Sequence, residues 1–182
     1  MIDTVLKYLR DKLNVYLGNT PPGLIQFPSE LPGDSINLPS DCVALLLVRI
    51  EEEKTMRFDE RYIRTKGTAQ NLVYTSAKPA IPLHLYLLFI SRFKDYNTGL
   101  KHLSSVILFF QSQLVLQPDN LPELVAELHT PTFTVQNEIW GALKAPQHPA
   151  VMYKITMLML ESEETTGDAI QEVHTTSGLI TN

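Results

Sequence analysis

At 182 residues, the chain is long enough for one domain with a proper core and little more. Apolar residues make up 44% and charged residues 19%, and the net charge of -5 argues against a general affinity for nucleic acid. The single cysteine, Cys42, excludes an internal disulfide and an all-cysteine metal cluster.

The chain begins with a predicted amphipathic helix, roughly residues 3–17, which Gly18 ends. Apolar residues recur there at helical spacing: Ile2, Val5, Leu6, Leu9 and Leu13. Charged residues between them distinguish this segment from a signal peptide, and no apolar run reaches the ~18 residues of a membrane span. Residues 19–41 follow with five prolines and predict an extended surface segment.

Residues 42–53 form an apolar run rich in Val and Leu that ends in three acids, which predicts a central strand leaving the core. Residues 54–80 are polar and contain a Thr-Lys-Gly turn signal, so we expect a protruding loop or hairpin. Five basic residues lie near its start: Lys54, Arg57, Arg61, Arg64 and Lys66.

The second half of the chain alternates predicted strands and helices. Residues 81–91 predict a buried strand, with Pro82 tolerated only at its start. The strongest helix signal, roughly 95–114, has apolar residues at steps of three and four: Tyr96, Leu100, Leu103, Ile107, Phe110 and Leu114. A short strand at 124–130 and a short helix follow, and we expect Thr134 to cap that helix, which runs through Leu143.

Pro146 and Pro149 then force a turn into a last predicted strand, residues 150–161, which carries three of the five Met residues. This order of elements predicts an α+β fold: a single domain over residues 1–161, with a mostly antiparallel sheet of about four strands packed by helices. Residues 162–182 form an acidic C-terminal tail. From Glu161 onward there are five acids and no Lys or Arg, so the whole net charge falls there and independent folding is disfavoured.

The sequence contains no recognisable catalytic or metal-binding motif. Its five His residues are scattered without the spacing of a zinc site, so we expect no metal and no cofactor. Cys42 starts an apolar run next to an acid, which favours core packing over a reactive thiolate. Glu51 and Glu53 share one face of a strand, where a solvated strand end explains them better than paired catalytic carboxylates. These observations predict a protein that is not an enzyme.

Trp140, the only Trp, has two interpretations. Trp is enriched at interface hot spots, so it could anchor a partner. A core position under the sheet is favoured, because Ile139, Leu143 and the following strand are apolar too. The Met-rich strand is also better explained as core than as an adaptable binding face.

Two blocks of sequence carry a resemblance to a known family. One spans Leu85 to Gln111, LYLLFISRFKDYNTGLKHLSSVILFFQ, and the other spans Asn137 to Lys154, NEIWGALKAPQHPAVMYK. Together with the N-terminal helix, their order and spacing resemble the cap, or tail terminator, proteins of phage-tail-like contractile injection systems. The resemblance covers about residues 1–161.

The resemblance implies a tail-terminator-like fold and a structural role. Such a protein forms a ring, probably hexameric, on the last tube and sheath layers, ends the inner tube and ties it to the terminal sheath layer. Its partners are further copies of itself, the inner tube protein and the sheath protein, without nucleic acid or direct membrane insertion. We expect assembly in the bacterial cytoplasm, after which the protein is part of the injection particle.

The residues expected to build the rigid scaffold of each subunit are Leu85, Tyr86, Phe89, Phe110, Trp140, Pro149 and Tyr153. The basic loop is expected to contact an adjacent subunit or the tube, and the acidic tail to dock on a sheath subunit. The predicted assembly contacts are therefore Lys54, Arg57, Arg61, Arg64, Lys66, Glu163, Glu164, Asp168, Ile170 and Glu172.

Two alternatives from other classes remain open at the level of sequence. The first is a small non-enzymatic protein-binding adaptor that acts outside a tail particle. The second is an enzyme whose site is assembled from unremarkable residues, which would place perturbed titrating groups in a deep polar pocket.

Overall fold

The structure, a computed structural model, describes residues 1–18, 23–31, 35–54, 62–65, 73–76, 81–119, 121–159 and 165–166. These residues contain three helices and eleven strands. In chain order they are α1 (Ile2–Tyr16), β1 (Ile25–Gln26), β2 (Ser29–Leu31), β3 (Ser35–Asn37), β4 (Cys42–Glu52), β5 (Tyr62–Thr65), β6 (Val73–Ser76), β7 (Ile81–Arg92), α2 (Tyr96–Ser112), β8 (Val115–Leu116), β9 (Leu124–His129), α3 (Phe133–Leu143), β10 (Ala150–Met159) and β11 (Thr165–Thr166).

The chain divides into two compact units. The main unit comprises Met1–Met56 and Ile81–Met159, and the second comprises Arg57–Ala80 and Leu160–Asn182. This division differs from the predicted boundary at residue 161, because the basic loop segment groups with the C-terminal residues. In the second unit β5 and β6 form an antiparallel hairpin, and β11, which lies in the predicted tail, pairs with β6.

The main unit is built on a sheet with the strand order β1-β4-β7-β10-β9-β8. Its four long strands, β4, β7, β9 and β10, are those that the sequence predicts, and a two-residue strand adds to each edge. All neighbours are antiparallel except β1 and β4, which run parallel. The predicted α+β class with a mostly antiparallel sheet packed by helices is confirmed.

Helices α1 and α2 cover one face of this sheet, which we call the α1/α2 face. Side chains alternate along a strand, so Leu85, Leu87 and Phe89 of β7 point to this face, where all three are buried. The two helices contribute their apolar stripes to the same core: Val5, Leu9, Leu13, Leu103, Val106, Phe109 and Phe110. Each such buried side chain stabilises the fold by roughly 1.5–3 kcal/mol relative to exposure.

Helix α3 lies on the opposite face, which we call the α3 face. Trp140 of α3 is buried there with Leu88 and Ile90 of β7 and Met152 of β10. The α3 cap differs from the predicted one. Thr132, not Thr134, is the N-cap, because its backbone is extended and its hydroxyl oxygen accepts the Val135 N–H at 3.4 Å.

The proline-rich segment 19–41, predicted as an extended surface segment, contains the short strands β1, β2 and β3, and Ile25 of β1 is buried. Asn14 of α1 holds β1 in place through two hydrogen bonds to Ile25. Its side-chain carbonyl accepts the Ile25 N–H at 2.8 Å, and its amide donates to the Ile25 carbonyl at 3.1 Å. Isolated contacts of this kind leave no periodic signal in a sequence.

Candidate assembly surfaces

The α3 face of the sheet is divided into an apolar half and a polar half, with Tyr86 at the boundary. On β7, Leu88 and Ile90 belong to the apolar half, and His84 belongs to the polar half. Helix α3 packs on the apolar half through Trp140. The side chains of β7 alternate regularly between the two faces along the whole strand. The α3 face therefore changes from apolar to polar only because the residue types change.

The apolar half is held together by the turn before β10. The Pro149 carbonyl accepts the Ser91 N–H of β7 at 2.9 Å, which fixes the start of β10. The Trp140 ring meets the His148 ring edge to face, with centroids 6.1 Å apart. Burial lowers the pKa of His148, and the nearby Arg92 lowers it further, so the imidazole is favoured in its neutral form.

Apolar side chains remain exposed around the start of α3. Phe133 is 84% exposed and Val135 is 43% exposed. Exposed large apolar residues that cluster mark interaction surfaces more often than isolated ones do. A groove of about 460 Å³ runs between α3 and β4, lined by Ile36, Leu46, Val48, Val135, Ile139 and Leu143.

The polar half depends on an irregularity in β4. The register between β4 and β7 shifts between Leu47 and Arg49, so Val48 is an extra residue on β4. The bulge reverses which residues of β4 face each side. It places Arg49, Glu51 and Glu53 on the α3 face, next to the even-numbered residues of β7.

Hydrogen bonds then connect β4 with β7 and β10. The Tyr86 hydroxyl donates to Glu51 at 3.0 Å, and Arg49 contacts the same carboxylate at 3.1 Å. His84 contacts Glu53 through Nε2 and Thr156 of β10 through Nδ1, the latter at 2.9 Å. These contacts tie three neighbouring strands together on one face.

A further ion pair extends the cluster to β9, where the Lys154 ammonium lies 2.5 Å from the Glu127 carboxylate. The hydrogen bond to Glu127 raises the pKa of Lys154, so the lysine is kept charged. Burial raises the pKa of the Tyr86 hydroxyl, and its bond to Glu51 raises it further. Tyr86 and Lys154 are therefore kept in their protonated forms, in which each donates a hydrogen bond to a neighbouring carboxylate.

In the described ranges, no group of three or more His, Cys, Asp or Glu side chains is arranged to hold a metal ion. None of the helices there combines the length and apolar character that a membrane span requires.

The predicted scaffold residues all lie in the main unit. Leu85, Phe89, Phe110 and Tyr153 are buried on the α1/α2 face, and the Phe110 and Tyr153 rings lie 4.3 Å apart between centroids. Trp140 is 6% exposed on the α3 face, where Tyr86 and Pro149 are partly buried. Their role as the scaffold of a ring subunit stays a prediction.

Of the predicted assembly contacts, Lys54 lies exposed just beyond the end of β4, and Arg64 lies on β5. The others are outside the residues that the structure describes: Arg57, Arg61, Lys66, Glu163, Glu164, Asp168, Ile170 and Glu172.

The spacing of Glu51 and Glu53 draws attention to them in the sequence, where a solvated strand end is the favoured interpretation; the structure instead gives both carboxylates partners on β7. His84, Tyr86, Lys154 and Thr156 lie on other strands, and only the pairing register brings them together. A polar residue within an apolar strand run, as His84 is, is the one signal that could have identified the cluster.

Comparisons with known proteins give one family and a shared fold. Residues 4–172 match the family described as the Pvc16 N-terminal domain. No curated protein matches the sequence.

One similar structure is the sheath/tube terminator, in its extended state, of the extracellular contractile injection system PVC; it is 15% identical, with a TM-score of 0.64 over 100% of this chain and 64% of that one. Another is the tube-terminating cap of the anti-feeding prophage, 11% identical, with a TM-score of 0.59 over 97% of this chain and 61% of that one. This chain therefore spans less than two thirds of either, and at these identities the similarity shows the fold. The resemblance inferred from the sequence is confirmed.

Proposed function

Because the chain belongs to the Pvc16 N-terminal domain family, we propose that it is the terminator, or cap, of a contractile injection system. The observation that carries this proposal is the fold that the whole chain shares with a sheath/tube terminator. A second match, to a tube-terminating cap, supports the same role. Both are structural proteins of an assembled tail, and we extend that non-enzymatic role to this chain.

In this proposal the protein forms a ring of six subunits that sits on the end of the inner tube. A ring of identical subunits uses heterologous contacts that close by rotation, and it multiplies weak contacts into strong avidity for a symmetric tube end. Capping covers the surface on which the next tube layer would stack. The protein assembles in the bacterial cytoplasm and then remains part of the particle.

We further propose that the two charged segments make the partner contacts. The basic residues of 54–66 contact an adjacent subunit or the tube ring, and the acids of the tail meet Lys or Arg of the sheath. The opposite signs of these segments in the sequence support this division of roles. Exposed ion pairs are worth at most about 1 kcal/mol each, so such contacts act through their number in the ring.

The decisive experiment deletes the gene from its injection-system cluster and images the particles. We expect tubes of uncontrolled length with loosely held sheath, and restored length when the full chain is supplied in trans. Particles of normal length, with normally attached sheath, in the deletion strain would contradict the terminator role.

A second experiment addresses the basic segment. Reversing Arg57, Arg61 and Arg64 to Glu is expected to prevent ring assembly while the thermal unfolding of the free protein is unchanged. The matched control reverses three exposed lysines elsewhere, Lys94, Lys101 and Lys144, which changes the net charge equally. Normal particles from the arginine variant would show that this segment is not part of the interface.

A further inference from the structure

The outer edge of β4 is paired only where the strand begins. β1 pairs with Val43 and Ala44, and the chain then reaches Pro28, which has no N–H to extend the pairing. In the part of the chain that the structure describes, no strand pairs with this edge from Leu46 to Glu52. A long open edge with apolar side chains is a template for another strand, and proteins usually cover or blunt it.

The backbone donors on this edge can be identified. Beyond the bulge, the Glu53 N–H donates to the carbonyl of Pro82, the second residue of β7, at 2.9 Å. Since successive N–H groups of a strand alternate between its two sides, those of Ile50 and Glu52 point to the open edge. The edge therefore offers regularly spaced backbone groups rather than a single isolated one.

An apolar groove lies beside the same edge. It is the groove of about 460 Å³ between β4 and α3, which contains Leu46, Val48 and Ile139. A strand added to β4 presents alternate side chains to this groove, so the backbone supplies affinity and the groove supplies selectivity. The occupant must be an extended segment with an apolar side chain at alternate positions.

The charge at the far end of the edge further limits which segment can pair with it. Glu51, Glu52 and Glu53 follow one another there, and Glu52 is exposed. β5 has the complementary character: it reads Tyr-Ile-Arg-Thr and is flanked by Arg61 and Lys66 in the sequence. In its own sheet, ordered β11-β6-β5, β5 is an edge strand whose second side is open among the described residues.

We propose that β5 of one subunit adds to the open edge of β4 in a second copy of this chain, beside the acidic end of β4. This contact deepens the proposed function, because it rests on the ring and assigns the surface that joins neighbouring subunits. One donor strand and one acceptor edge per subunit make a heterologous contact, which a ring can close. Tyr62 and Ile63 are consecutive, so they belong to opposite faces of an added strand. Whichever face of β5 is turned toward the groove, one of these two apolar side chains is therefore available to fill it.

The test uses single-cysteine variants of the full chain, made in a Cys42→Ala background because Cys42 is the native cysteine, mixed in pairs and oxidised. Ile50→Cys is combined in turn with Tyr62→Cys, Ile63→Cys, Arg64→Cys and Thr65→Cys, one variant for each of the four residues of β5. We expect at least one pair to give a disulfide-linked dimer containing one chain of each variant, identified by mass spectrometry. Leu114→Cys, at a position that is also exposed but lies outside β4, is the matched control and is expected to give at least tenfold less of the linked dimer.

A charge exchange checks that the link depends on the acidic end. Arg64→Glu is expected to lower the yield of the linked dimer severalfold, and Glu52→Lys in the partner variant is expected to restore it. Yields equal to the Leu114→Cys control for all four pairs would overturn the proposal. So would a link that forms only within one chain carrying both cysteines.

The outcome separates this inference from the proposed function. Rings on tube ends without any link between β4 and β5 would overturn the inference and leave the terminator role intact. A specific link in a protein that does not cap tubes would support the interface and contradict the function.

Discussion

At the scale of single residues, the surroundings of the only cysteine favour its neutral thiol. Cys42 is buried at the start of β4, and burial raises the pKa of its thiol to about 11. Arg92 lowers this pKa and Asp41 raises it, but burial is the larger effect. The neutral thiol is therefore the form that the folded protein favours, as the sequence neighbours of Cys42 indicate.

We predict that Cys42 reacts with a disulfide reagent at pH 8 about a hundredfold more slowly in the folded protein than in denaturant, because the pKa shift from 9.0 to about 11 removes most of the thiolate. The raised pKa also predicts that stability is fully present below about pH 9 and falls as the pH rises toward 11. Urea unfolding across this range measures the loss, and Cys42→Ala is the control without it. Equal reaction rates in both states would contradict the assignment.

His84 is the residue on which the polar half of the α3 face depends. It is 9% exposed and contacts both Glu53 and Thr156. His84→Phe keeps an aromatic ring, although a somewhat larger one, and removes both contacts, so we predict a loss of about 1–3 kcal/mol in the free energy of unfolding. Thr156→Val removes only one contact and is expected to cost less. A His84→Phe protein within about 0.5 kcal/mol of wild type in urea would show that the network is not stabilising.

At the scale of elements, α2 is positioned on the sheet by a close approach to β7. Asp95 caps the helix by accepting the Thr98 N–H at 2.9 Å, and Gly99 in the first turn faces Ser91. A Cβ on Gly99 would lie 2.6 Å from the Ser91 hydroxyl oxygen. The glycine is therefore required for packing, although helix propensity alone favours alanine.

This contact gives a double-mutant prediction. Gly99→Ala alone is expected to destabilise the protein, because Ser91 is buried and its hydroxyl has little room to move. In a Ser91→Ala background the nearest remaining Ser91 atom is Cβ at 3.7 Å, so the same change is expected to stabilise by up to about 1 kcal/mol. Thermal unfolding of the four proteins measures both effects, and additive changes would refute the proposed coupling.

At the scale of the whole molecule, the C-terminal segment has two parts, and a truncation that removes both cannot separate their effects. Thr165 and Thr166 form β11, which pairs with β6 in the second unit. The residues beyond them carry the rest of the acids. They also contain two small apolar groups, one that includes Ile170 and one formed by Leu179-Ile180. A contact with the sheath therefore has to be tested without removing a strand.

We predict that truncation after Gly167, which keeps β11, weakens sheath attachment and lowers the salt concentration at which particles come apart, because charge pairs are screened by salt. Truncation after Ser162 is expected to do the same and also to lower the stability of the free protein. Particle length and salt resistance under the electron microscope give the readout. Unchanged particles from the Gly167 truncation would show that the residues beyond it do not hold the sheath.

The features that could be predicted are those that depend on residues close together in the sequence. Long apolar runs and helical periodicity located β4, β7, β10 and α2 within a few residues, since burial of one face imposes those patterns. The prediction that Thr134 caps α3 is wrong. Two threonines lie two residues apart and both fit a cap, and only the backbone conformation selects Thr132. β1 and β11 are too short to impose any pattern.

The sequence by itself determined the fold class, the four long strands, the buried character of Cys42 and the separation of basic and acidic segments, because each depends on the order and polarity of neighbouring residues. The tertiary structure alone decided the strand order, the bulge at Val48, the contacts of His84 and the open edge of β4. These depend on register and on groups distant in the chain, where one residue of slip reverses every side chain on a strand. The candidate assembly surfaces belong to this second class, so pairing between strands is what identifies them.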